Sequence, residues 1–241
     1  MSGFQSFSFG RDDDNVGGPK KRFKGQEGRQ YRVSFPWWKG IDAGKPDMDA
    51  DGPEFCGAPR NYIKGVGYVL NKGPEYTNLA GGEAPRMAIA TILVVWPLNS
   101  KGQPDVNAIK AGDFDVCPWV FSQDKYRAIE PIHREFHLGQ HDLNINCTDT
   151  QYQKMTFSPC KDSILAKLAG KGGKVWESIV TQTAELAATI RNEIGREMTL
   201  DQIREKLAGG DGGGNAAAPS AAAAVEDIDN LVDNLLDDDD D

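Results

Sequence analysis

Met87-Ala88-Ile89-Ala90-Thr91-Ile92-Leu93-Val94-Val95-Trp96, stopped by Pro97, decides the fold. It is a continuous apolar run of β-branched and aliphatic residues, and it reads as a fully buried central strand. Shorter strand signals lie on both sides. Gln30-Tyr31-Arg32-Val33-Ser34-Phe35 alternates and ends at Pro36, and Tyr62 to Leu70 alternates with glycines that suggest a bend or bulge. Phe114 to Phe121 is a second apolar run. Leu143–Cys147 and Tyr152–Phe157 flank a turn at 148–151 and read as a hairpin.

Helical patterns fill the remainder. Ser122 is placed to cap a helix reaching Phe136, with Tyr126, Ile129 and His133 on one side; Pro131 counts against its continuity. Ile164, Leu165 and Leu168 form a short apolar face. Val175–Gly195 carries Trp176, Ile179, Val180, Thr183, Leu186, Ala187 and Ile190 at helical spacing. Thr199 and Gln202 have the positions of a capping box. Strands and helices do not alternate regularly, which excludes a doubly wound fold. The expectation is a mainly β protein: a small, partly closed antiparallel barrel with helical additions.

The expected divisions are a basic N-terminal arm without structure (1–28), a barrel core (29–160), a helical extension (161–208), a Gly/Ala linker (209–224) and an acidic tail (225–241). The 241-residue chain carries a formal charge of −9, which at first argues against nucleic acid. Residues 225–241 hold nine of the 36 acids and no base, leaving 27 acids against 27 bases in the body. A neutral body can carry a basic groove, because the field a strand meets is local. No apolar stretch is long enough to span a bilayer, the first residues lack a signal-peptide pattern, and a cytoplasmic location is expected.

Catalytic signals are lacking: there is no phosphate-loop motif following a buried strand and no HExxH, so an enzyme is not expected. The four cysteines are spaced thirteen or more positions apart and read as free thiols. His133, His137 and His141 lie at i, i+4 and i+8, but Leu138-Gly139 is expected to end the helix before the third. They read as surface or boundary histidines, although a site joining one of them to Cys117 or Cys147 stays open. No cofactor is expected.

The informative constellation is aromatic and basic. Arg32, Trp37, Trp38 and Lys39 gather near the first strand, with Arg60, Tyr62, Lys64 and Tyr68 on the next; Lys72 and Arg86 lie close by in sequence. Arg60, Tyr62 and Lys64 share parity and so one sheet face. Rings mixed with cations make poor core and a good surface for a nucleic-acid strand, since bases stack on rings and cations follow phosphates. Tyr62 and Lys64 are the best candidates, and Trp96 is expected in the core. In the tail, Ile228, Leu231, Val232, Leu235 and Leu236 recur at amphipathic spacing before Asp237 to Asp241. They suggest a docking peptide followed by a charge block that competes with DNA.

The chain resembles bacteriophage single-stranded-DNA-binding proteins of the T4 type. The likeness rests on Tyr31–Pro36, on Ala90–Val95, on the strand, helix and hairpin order from Asp113 to Pro159, and on the tail from Asp229 to Asp237. It implies an OB core, sequence-tolerant coating of single strands in replication, recombination and repair, possible self-association on DNA, and replication proteins as partners of the tail. It also implies a zinc held by a histidine and clustered cysteines. Cys56 has no CxxC neighbour here, so no metal is expected. The basic N-terminal motif is only approximated by Lys20-Lys21-Arg22-Phe23-Lys24. The alternative is an acidic-tailed interaction factor, such as a recombination mediator or a chaperone of basic proteins.

Overall fold

The computed structural model describes residues 22–36, 55–149 and 154–209. The apolar run forms β4 (Arg86–Trp96) and sits at the centre of a seven-stranded antiparallel sheet. Its composition follows from burial on both faces. Ala88, Ala90, Ile92, Val94 and Trp96 enter one core cluster, and Ile89 and Leu93 enter another.

One edge of β4 pairs along most of its length with β5 (Asp115–Ser122). The other edge is shared. Its first half pairs with β2 (Cys56–Ile63), from Arg60↔Arg86 to Cys56↔Ala90. Its last residues pair with β1 (Gln30–Ser34), from Ser34↔Val94 to Arg32↔Trp96. Two wings grow from this edge. β2 turns into β3 (Gly67–Leu70), and β1 leads to β6 (Leu143–Cys147) and then β7 (Met155–Pro159).

The expected partly closed barrel is therefore replaced by an open sheet in a mixed α/β fold. The reason lies in what covers it. On one face pack α2 (Val106–Ala111), α4 (Ile164–Lys171), α5 (Lys174–Ala187) and α6 (Ile190–Ile194), through Ile109, Leu165, Ile179, Leu186, Ile190 and Ile194. On the other lies α3 (Gln123–Phe136), with Ile129 buried against Leu93, Trp119 and Ile145. With helices on both faces, the strands do not need to curl around an interior to bury apolar surface. The expected helical extension is a layer of the body itself. Only α7 (Leu200–Gly209) and α1 (Pro74–Leu79) sit aside. Met198 and Ile203 join Tyr76 in covering Ile63 and Val69 on the β2–β3 wing.

Several local expectations change. Tyr62–Leu70 is a hairpin rather than one bent strand: Gly65 and Gly67 have φ of 81° and 92°, which side-chain-bearing residues rarely adopt. The 175–195 helix breaks at residues 188–189 into α5 and α6. Conversely, α3 runs through Pro131, whose ring lies on the exposed side, and ends at His137 with φ 50°. Ser122 occupies its N-cap position without a side-chain cap bond. The Thr199–Gln202 capping box forms in both directions, at 2.9 and 3.3 Å.

Residues 22–28, expected to be part of an unstructured arm, are packed on the body. The Phe23 ring is buried edge-on to Tyr31 and Trp119, with centroids 5.1 and 5.7 Å away. Its N–H donates to Pro118 O at 2.8 Å, and the Gly28 N–H donates to Cys147 O at 2.9 Å, so the segment bridges β5 and β6. Arg22 Nε donates to Glu193 at 2.6 Å. Arg22 and Phe23 of the basic motif are thus committed to this chain's own body. Among the described residues, no helix is long and apolar enough to cross a membrane.

Candidate nucleic-acid interface

The β2–β3 hairpin gathers the aromatic and basic residues. Tyr62 and Tyr68 are direct cross-strand partners, with ring centroids 5.3 Å apart and planes at 65°. Arg60, two residues before Tyr62 and so on the same face, sits diagonally from Tyr68. Its Cζ lies 3.8 Å from the Tyr68 centroid, a cation–π contact. Arg60 Nη1 also donates to Ile194 O at 2.9 Å, which ties the guanidinium to the end of α6. Across β2 from Arg60 stands Arg86, the exposed first residue of β4. Like charges directly opposite one another cost stability and concentrate positive field at one place. Both tyrosines are half-buried.

Other expected contacts are nearby. Lys64 lies just past the end of β2 and is exposed in the hairpin turn. Lys72, two residues beyond β3, pairs with Glu197 at 2.7 Å. The residues after α6 complete this edge, a feature the sequence did not signal. The Arg196 N–H donates to Tyr68 O at 2.9 Å and Arg196 O accepts from the Leu70 N–H at 3.0 Å, so residue 196 extends the sheet alongside β3. Gly195 allows this approach, because a Cβ there would lie 3.1 Å from the Leu70 nitrogen.

Arg32 is the correction. Expected at the DNA surface, it belongs to an internal network. Its Nε donates to Asp142 at 2.8 Å and its Nη2 donates to Asp162 at 3.0 Å. Asp142, fully buried, also accepts from the Ser34 hydroxyl and from the Ile164 N–H at 3.1 Å; Ser34 in turn accepts from Trp96 Nε1 at 2.7 Å. Burial works against the Arg32 charge, but the hydrogen bond and charge of Asp142, with help from Asp162, outweigh it and raise its pKa. The network pins β1 to β6 and to the start of α4. Trp96 lies in the core, as expected.

Trp37, Trp38 and Lys39 lie outside the described residues. So do the tail positions Ile228, Leu231, Val232, Leu235, Leu236, Asp237 and Asp241.

His133 and His141 make local hydrogen bonds. His133 Nδ1 accepts from the Leu138 N–H at 3.1 Å, and His141 Nδ1 donates to Cys160 O at 2.9 Å. Burial pushes the Cys147 and Cys160 thiols up, which opposes thiolate chemistry. Among the described residues, no three His, Cys, Asp or Glu side chains converge as a metal-binding group. Comparison with protein families, with curated proteins and with solved structures yields no match.

Proposed function

We propose that this protein binds single-stranded DNA with little sequence preference, through the Tyr62–Tyr68 face of the β2–β3 wing. The observation that carries the reading is the convergence of two half-buried tyrosines with Arg60 and the exposed Arg86 on one side of the β2–β3 wing, with Lys64 and Lys72 at its margins. Stacking on rings is worth about 1–3 kcal/mol per base and tolerates any base, while the cations follow the phosphates. A duplex hides its base faces and gains only the phosphate part of this interaction, so the surface favours unpaired strands.

The resemblance to phage strand-coating proteins extends this to a role in replication, recombination and repair. There the acidic tail competes with DNA for the basic face and recruits replication proteins through its apolar stripe. The tail's concentrated charge supports that extension, because a tethered polyanion acts at high effective concentration. The test is titration of fluorescent oligo-dT against duplex of equal length across salt. The reading expects tight binding to oligo-dT, weakening steadily with salt, and far weaker binding to duplex. Equal affinity for both would end it.

A further inference from the structure

We infer that Glu197 is a built-in stand-in for a DNA phosphate: it occupies Lys72 at the edge of the tyrosine platform until a strand displaces it. This rests on the strand-binding reading and adds a gate to the same site.

Glu197 directly follows Arg196, whose backbone is bonded to Tyr68 and Leu70 of β3. Its backbone is therefore held beside the platform rather than elsewhere on the surface. It bonds Lys72 Nζ at 2.7 Å, with its side chain 62% exposed and that of Lys72 43% exposed. An ion pair this exposed contributes little and exchanges partners readily. The hydrogen bond and charge of Lys72 hold the Glu197 carboxyl below its ordinary value, with a smaller pull from Arg191, so it is an anion wherever the protein meets DNA. An open groove of about 870 Å³ shares Glu197 in its lining, together with Arg196, Gln202, Glu205 and Lys206. A strand leaving the tyrosines over the β3 edge meets Lys72 beside Glu197.

Ion bookkeeping makes the idea sharp. When a phosphate binds a free lysine, the strand releases a condensed cation, and each such contact steepens the logarithmic salt dependence by about 0.7 for single strands. When the lysine must first leave a carboxylate, the ion pair it gives up is itself weakened by salt, which offsets part of that release, and the Lys72 contact adds less to the salt slope.

The experiment is oligo-dT titration of full-length wild type, Glu197→Gln, Lys72→Gln and the double variant across salt. Glu197→Gln is expected to bind about threefold to tenfold tighter at low salt, with a slope steeper by up to about 0.7 and curves that converge at high salt. In the Lys72→Gln background the same change should leave the slope unmoved. An unchanged slope in Glu197→Gln, in a protein that still prefers oligo-dT over duplex, overturns the gate and leaves the strand-binding reading standing. A wild type that does not bind oligo-dT overturns both.

Discussion

The two wings that share one edge of β4 begin from similar sequence and end in different surroundings. Each starts with a short alternating strand carrying tyrosine and arginine: Tyr31-Arg32 on β1, Arg60 and Tyr62 on β2. On the β1–β6–β7 wing Tyr31 is buried, and Arg32 is tied to a fully buried aspartate. On the β2–β3 wing the rings stay half-exposed, and the Arg60 guanidinium carbon lies 3.8 Å from the centroid of one of them. The difference is what arrives from elsewhere in the chain. Asp142 and Asp162 come from 110 and 130 residues away to meet Arg32, while Arg60 contacts the Tyr68 ring and donates to a backbone carbonyl of α6. The setting of an arginine on an alternating strand thus depends on what distant segments bring to it.

This contrast can be broken experimentally. The largest expected effect is that of Asp142→Ala, which leaves the Arg32 guanidinium partly buried without its main counter-charge. It should cost about 3–5 kcal/mol in urea unfolding. A loss under 1 kcal/mol would show that the wing does not depend on the pair. Next comes Tyr62→Ala, expected to weaken oligo-dT binding by about 1–3 kcal/mol. Its urea midpoint should move less than that of Asp142→Ala; the reverse ranking would make Tyr62 a packing residue and dissolve the contrast.

The smallest effect concerns Asp162, whose carboxyl is held below its ordinary value by hydrogen bonds from Lys167 and then Arg32. A depressed carboxyl contributes stability in full above the unfolded pKa, near about 4, and loses it as pH falls through the folded value. Thermal melts of wild type and Asp162→Asn should therefore differ at neutral pH and converge below about pH 4. A gap that persists in acid would mean that Asp162 acts through something other than its charge.

What could be read in advance follows the same divide between local and distant. β4 was legible because burial on both faces writes a continuous apolar run, and the Thr199–Gln202 cap because its partners are three residues apart. The Tyr62–Tyr68 face was reached for an incomplete reason: parity along one strand gives the same face as a cross-strand pair in a hairpin. The beginning of β2 was illegible, since Cys56-Gly57-Ala58-Pro59 contains two poor strand formers and is held by pairing with β4. The short α1 and α2 were missed, although Pro74 at the first turn and Asp105 as a cap were available signals. Closure of the sheet was beyond local pattern, because it depends on which helices come to cover each face. The same is true of Arg32 and of Glu197, whose partners lie more than a hundred residues away.

The divided edge of β4 also imposes an order of assembly. β1 precedes both of its neighbours in the chain, β4 and β6, and the second is complete only at Cys147. β4 and β5 can pair over a short connection, whereas seating β1 requires closure of far longer loops, the slow step in folding. Until then Tyr31 and Val33 of β1, with Phe35 just beyond it, lack the neighbours that bury them, and they are expected to be open to contact with other chains.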